Sequence, residues 1–71
     1  MAQLISLQLP NQKRRFYPVE RLEEIALQLC GGGTTEKQTT EAMLLADHFR
    51  KHNWADRMVG RYRITLSLVE R

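Results

Sequence analysis

Cys30 is the only cysteine in this 71-residue sequence and the first residue to consider for catalysis. A reactive cysteine must ionise readily, and thiolates are stabilised at the beginning of a helix or beside cations. Cys30 instead falls in the last turn of a predicted helix, where the negative end of the helix dipole raises a thiol pKa. We therefore predict no catalytic residue and do not expect an enzyme.

His48 and His52 stand four residues apart on a second predicted helix, with Asp47 beside them. This spacing can bring two imidazoles to one metal ion. The set is incomplete, because the sequence has no further His or Cys pair and no glutamate placed as in the HExxH motif. We expect two solvated or partly packed histidines, with no metal site and no cofactor.

The segment GGGTT, from Gly31 to Thr35, precedes a predicted helix and could offer backbone amides to an anion. A phosphate-binding P-loop ends in GK[ST] and follows a strand. Here that ending is missing and the preceding element is a helix. The pattern favours a flexible turn between two helices over a phosphate site.

Basic residues are the remaining functional signal. The chain has eleven Lys and Arg against eight Asp and Glu, and a net charge of +3, which suits an acidic partner without requiring one. We expect a compact fold to gather the candidate nucleic-acid-binding residues into one patch. They are Lys13, Arg14, Arg15, Arg57, Arg61 and Arg63.

Phe16 and Tyr17 directly follow three of these cations in the connection NQKRRFYP. The connection is either a surface loop whose rings anchor it to the core or an arm whose cations contact phosphates. We predict a small DNA-binding regulatory protein that contacts double-stranded DNA. The alternative is an adaptor or inhibitor that binds an acidic protein through a strand edge or exposed leucines.

The longest periodic segment, Thr35 to Trp54, predicts a central helix. Thr35 as the N-cap residue and Gln38 three positions later fit a capping box. Apolar residues recur at the i, i+3, i+4, i+7 spacing that faces a core. These residues are Ala42, Leu45, Ala46 and Phe49.

Another helix is predicted from Pro18 to about Cys30. Proline suits a first helical turn, and the glutamates that follow it favour the positive end of the helix dipole. The glycines from Gly31 to Gly33 end this helix, because they can adopt positive φ.

Two segments alternate between apolar and polar residues and predict strands. They are Gln3 to Leu9, and RYRITLSLVER at the end of the chain. We expect Ile5 to Leu9 to pair antiparallel with Ile64 to Leu68. The predicted fold is a single α+β domain covering residues 1–71, a two-layer β-α-α-β arrangement with two helices packed on a two-stranded ribbon.

This order of elements has two loose resemblances among DNA-binding proteins. Helix, GGGTT turn and helix, followed by a basic strand, are similar to the layout of winged-helix regulators. ISLQLP followed by two helices is similar in order to ribbon-helix-helix repressors, whose paired strands enter the major groove.

Leu27 and Leu44 do not fit the apolar stripes of their helices. Large apolar residues on a surface are candidates for contact with a partner. A two-stranded sheet is also marginal in stability, and self-association would relieve that limit. We therefore predict a homodimer, with Leu27 and Leu44 as its self-association residues.

A lone cysteine cannot form an intramolecular disulfide. The first thirty residues also lack the continuous apolar run of a signal peptide or a membrane span. We expect a cytoplasmic protein that does not enter the membrane.

Overall fold

The computed structural model describes residues 3–70, which form two helices and four strands. Strands β1 and β2 are Gln3–Gln8 and Arg15–Pro18. A 3₁₀ turn, Val19–Arg21, leads into helix α1, Leu22–Leu29, and helix α2 is Glu36–His52. Strands β3 and β4 are Trp54–Val59 and Tyr62–Glu70.

The strands form one antiparallel sheet in the order β2-β1-β4-β3. The predicted pairing of the N-terminal and C-terminal strands is confirmed, with Ile5 opposite Leu68 and Leu7 opposite Leu66. The α+β class is also confirmed. The predicted two-stranded ribbon is wrong, because the connection after β1 and the segment after α2 each add an edge strand.

Both helices pack against one face of this sheet. Alternate residues of the central strands face them, including Ile5, Leu7, Ile64 and Leu66, all buried. Apolar residues at helical spacing close the core from the other side: Leu22, Ile25, Ala26, Ala42, Leu45, Ala46 and Phe49. The core therefore lies between one helical layer and one sheet layer.

Helix α2 begins as the capping pattern predicts. The Thr35 Oγ accepts a hydrogen bond from the Gln38 amide N–H at 3.2 Å. In return the Gln38 Oε1 accepts from the Thr34 N–H at 2.8 Å, one residue earlier than a standard capping box requires. Gly31 has φ of +98°, and a Cβ there would lie 2.5 Å from the Gln38 Nε2, so the turn needs glycine.

Asn53 turns the end of α2 into β3. It adopts a left-handed conformation, with φ of +64°. Its N–H donates to the Phe49 carbonyl at 2.7 Å, and its own carbonyl accepts from the Leu68 N–H at 2.9 Å. One residue therefore ends the helix and ties that end to β4.

Gly60 and Arg61 form the two-residue turn between β3 and β4, since Val59 lies opposite Tyr62. Gly60 has φ of +62°, while Arg61 is not among the residues with positive φ. This is the pattern of a type II′ turn, whose twist matches that of the flanking strands.

Neither resemblance to DNA-binding proteins describes the observed topology. A ribbon-helix-helix repressor uses a strand that pairs outside its own chain, whereas both edges of β1 are occupied by β2 and β4. The element before α1 is a strand and a short 3₁₀ turn, so residues 3–70 hold no third helix to support a winged-helix arrangement.

Neither α1 nor α2 is long and apolar enough to cross a membrane.

Candidate nucleic-acid interface

The sheet face opposite the helices has no element packed over it within residues 3–70. We call it the open face. Its residues follow from the strand registers, because side chains alternate between the two faces of a sheet. They are Leu4, Ser6, Gln8, Phe16, Pro18, Trp54, Asp56, Met58, Arg63, Thr65, Ser67 and Val69.

One row of the open face crosses all four strands. Phe16 lies opposite Ser6, Ser6 opposite Ser67, and Ser67 opposite Trp54. The two aromatic residues, on the edge strands, are 40% and 47% exposed, and Met58, four residues after Trp54 on the same strand, is 54% exposed. The row therefore has two short polar side chains in its middle and a large ring at each end.

Ser6 is nearly fully buried within this row. Its hydroxyl is the one buried side-chain polar atom of residues 3–70 without a hydrogen-bond partner. A buried hydroxyl that makes no hydrogen bond costs free energy, and such groups are uncommon in native proteins.

His48 of α2 contacts Trp54 at the outer edge of β3. The His48 ring meets the indole edge-to-face, with ring centroids 4.8 Å apart. Its Nδ1 lies 3.0 Å from the Trp54 carbonyl, so Nδ1 carries the proton and donates. The His52 ring lies 4.6 Å from that of His48. No three potential metal ligands come together within residues 3–70.

Five of the six predicted nucleic-acid-binding residues lie at one end of the sheet. β1 and β3 end there, and β2 and β4 begin there, so the two hairpin connections are neighbours. Residues 9–12 of one connection and Val59 and Tyr62 beside the other line a shared groove. We call the following set the basic end: Lys13, Arg14, Arg15, Arg61 and Arg63.

The basic end has few acidic partners. Lys13, Arg14, Arg15 and Arg61 are exposed and make no salt bridge with any carboxylate of residues 3–70. Arg14 Nε donates to the Gln8 Oε1 at 3.2 Å, which holds it beside the open face. Arg63 pairs only loosely with Asp56, at 3.8 Å, and its side chain is 69% exposed.

Arg57, the sixth predicted residue, is separate from the others. It lies on the helix-facing side of β3, opposite Ile64. Its guanidinium donates to the Glu41 carboxylate at 2.7 Å and to the Leu29 carbonyl at 3.3 Å. These contacts join β3 to both helices, so Arg57 is held inside the fold and is not part of the basic end.

Acidic residues are concentrated in the helical layer, where six of the eight in the sequence lie between Val19 and His52. Cations of the same layer pair with several of them, as Arg50 does with Glu23 at 2.9 Å. A hydrogen bond from Arg21 holds the pKa of the Glu24 carboxyl below its ordinary value. The excess positive charge therefore lies on the sheet and its hairpin connections.

Leu27 and Leu44 do not form one surface. Leu27 is partly buried against the core and lies in the groove between α1 and α2, where Met43 also lies. Leu44 is 65% exposed and lies on the other side of α2, beside His48 and Arg57. The prediction that they mediate self-association is not tested by these positions, but the two leucines cannot belong to one patch.

The other residues considered for function from the sequence, Cys30, the GGGTT turn and Tyr17, all contact neighbouring parts of the fold. Cys30 is buried at the end of α1, and burial raises the pKa of its thiol. In the GGGTT turn, the Thr34 hydroxyl and N–H both donate to the Gln38 Oε1, so that amide is already occupied. Tyr17 faces the helices, with the Arg21 guanidinium 5.7 Å from its ring centre.

Reasoning from the sequence did not identify Trp54 and Met58 as surface residues of the site. Both belong to β3. This strand lacks a clear alternation of apolar and polar residues, because only Ala55 of its six residues is fully buried. A usable signal was present, since Gly60-Arg61 between WADRMV and YRITLS is the residue pair of a type II′ hairpin.

Comparisons with protein-family models, with curated proteins and with solved structures find no match.

Proposed function

We propose that this protein binds nucleic acid, and that the basic end contacts the phosphates. The observation that carries the proposal is the cluster of exposed cations at one end of the sheet, of which only Arg63 pairs with a carboxylate of residues 3–70. Phosphate contacts by Lys and Arg supply most of the sequence-independent affinity for nucleic acid. We expect the protein to act in the cytoplasm as a regulator.

The separation of charge between the layers supports this proposal. A protein with its cations scattered among carboxylates makes ion pairs that neutralise them, as Arg50 does on α2 with Asp47 and Glu23. At the basic end the cations come from two neighbouring hairpin connections and from Arg15 and Arg63 in the strands that follow them. A polyanion crossing this end would meet several positive charges at once, and each contact would release counterions.

Charge reversal at the basic end tests the proposal. The variant carries Lys13→Glu with Arg14→Glu, and the matched control carries Lys37→Glu with Lys51→Glu. All four residues are exposed, and both pairs of changes alter the net charge equally. Binding to a labelled duplex and to a labelled single strand is measured by fluorescence anisotropy at two salt concentrations.

We expect salt-dependent binding by the wild type. The basic-end variant should bind more weakly and lose about one unit of salt slope for each phosphate contact removed. The α2 control should stay within a few-fold of the wild type. Equal losses in the two variants, or no salt-sensitive binding by the wild type, would contradict the proposal.

The alternative is a protein-binding module that self-associates, and one observation favours it. Leu44 on the outer side of α2 is 65% exposed, and Met43, at the groove between the two helices, is 63% exposed. The marginal stability of a two-stranded sheet is no argument for a homodimer here, since one chain supplies four strands. Sedimentation at several concentrations measures self-association, and Leu44→Glu should abolish a dimer that buries this residue while leaving the monomer folded.

A further inference from the structure

We infer that the open face takes unpaired bases, so that the nucleic acid bound at the basic end is single-stranded. The inference rests on the proposed function and names its substrate class. Three features carry it: exposed aromatic rings, the width of the sheet, and the position of the cations beside the open face.

The exposed rings are the first feature. Phe16 and Trp54 lie at the two ends of the row that crosses the sheet, and each exposes two fifths or more of its surface. The Trp54 ring also contacts His48 of α2 at the edge of β3, so a base would stack on the part of the indole that this contact leaves exposed. Aromatic side chains that stay exposed on a sheet face can stack on bases, and this is sequence-tolerant because every base has a π-face.

The width of the sheet is the second feature, and it argues against flat insertion of the open face into a major groove. A two-stranded ribbon can enter the major groove, but β4 has a neighbour on each side. Three strand spacings put the outer strands roughly 14 Å apart before side chains are added, which exceeds the groove width of about 12 Å. The open face therefore does not fit flat into a major groove as a two-stranded ribbon does, which favours a single strand as its ligand.

The position of the cations is the third feature. Arg63 belongs to the open face, and Arg14 is held beside it by Gln8. A single strand can therefore place phosphates at the basic end while its neighbouring bases lie on the rings. The Thr65 hydroxyl lies between the row and the basic end, and the Ser67 hydroxyl lies in the row itself. Both can bond base edges, which are fully accessible in unpaired strands.

Asp56 opposes this binding. It lies on the open face beside the path of the strand, and Arg63, 3.8 Å away, only partly offsets its charge. Asp56→Asn should therefore tighten binding of a single strand, because it removes a negative charge and releases Arg63 for phosphate.

The test compares a labelled single strand of about ten nucleotides, within the site sizes of single-strand binders, with the same sequence annealed into a duplex. Trp54 is the only tryptophan, so its fluorescence reports directly on stacking. We expect the single strand to bind at least tenfold more tightly than the duplex and to quench this fluorescence.

Substitutions at Trp54 locate the bases. Trp54→Ala should weaken single-strand binding about five- to 150-fold, the range for loss of one stacked base, and Trp54→Phe should restore much of the affinity. The control is Leu44→Ala, because Leu44 is 65% exposed but lies on α2, away from the basic end. Circular dichroism confirms that each variant is folded.

Each outcome has a distinct meaning. Equal affinity for the two probes, or Trp54→Ala and Leu44→Ala with equal effects, overturns the inference while leaving the proposed function in place. No binding of either probe overturns both. If Trp54→Ala changes the sedimentation of the protein and not its affinity for the single strand, the open face is covered by a second copy of the chain, and the inference is wrong.

Discussion

Arg57 of β3 and Glu41 of α2 form the shortest and least exposed ion pair among residues 3–70, at 2.7 Å. The same guanidinium also bonds the last turn of α1 through the Leu29 carbonyl. One cation therefore holds an edge strand against both helices. Its contribution should appear in the stability of the fold, whereas that of the neighbouring Arg61 should appear in binding.

Arg57→Ala should lower the free energy of unfolding by about 1 to 3 kcal/mol, because it leaves a half-buried carboxylate and a carbonyl without their donor. Urea denaturation measures this change. The double variant Arg57→Ala with Glu41→Ala should lose less free energy of unfolding than the two single variants lose together, which is the signature of a direct pair. Arg61→Ala should leave stability unchanged and weaken nucleic-acid binding. The reverse pattern would contradict the structural role of Arg57.

Phe49 is the largest side chain that α2 contributes to the core, and it is 2% exposed. Phe49→Ala should cost about 3 to 5 kcal/mol, since it removes buried apolar surface and leaves a cavity. In a domain of this size that loss could unfold the protein. Thermal denaturation followed by circular dichroism measures it. Leu44→Ala, on the exposed side of the same helix, should change stability by no more than about 0.5 kcal/mol.

Asn53 should tolerate glycine and resist most other residues. Its φ of +64° places Cβ close to the following carbonyl in any residue other than glycine, and asparagine bears this conformation better than most. Asn53→Gly should therefore leave the melting temperature nearly unchanged. Asn53→Val should destabilise the protein by about 1 to 2 kcal/mol. Equal effects of the two changes would show that the left-handed conformation is not required.

Cys30 should make stability depend on pH on the alkaline side. Burial raises the pKa of its thiol, so the folded protein keeps a proton that the unfolded chain releases above about pH 8.5. The unfolded state is then favoured progressively, and the free energy of unfolding falls as the pH rises. Urea denaturation between neutral and alkaline pH should show a steeper fall for the wild type than for Cys30→Ala. Parallel curves would exclude this contribution.

The central strands and α2 could be predicted because each has one fully buried face. In β4, Ile64 and Leu66 are buried while Arg63 and Thr65 are exposed, and the sequence alternates accordingly. The cap at Thr35 was predictable for a similar reason, since it depends on local hydrogen bonds alone. These features depend on residues close together in sequence.

The edge strands could not be predicted in the same way. Arg15–Pro18 contains no fully buried residue, so its pairing with β1 leaves almost no apolar alternation. Charge and spacing select the candidate cations, and their role in binding stays a prediction. The sequence does not show that Arg57 lies apart from the others, because its pairing with Glu41 depends on how α2 packs on β3. The open face likewise depends on strand order, which no local pattern encodes.

The pairing of β1 with β4 has a consequence for how the chain folds. It brings residues 67 positions apart into contact, at Gln3 and Glu70, whereas the β1–β2 and β3–β4 hairpins close over short loops. Closing a long loop costs chain entropy before its contacts are gained, so folding is slowed by contacts distant in sequence. We expect the hairpins and α2 to form early and their joining at the centre of the sheet to limit the rate.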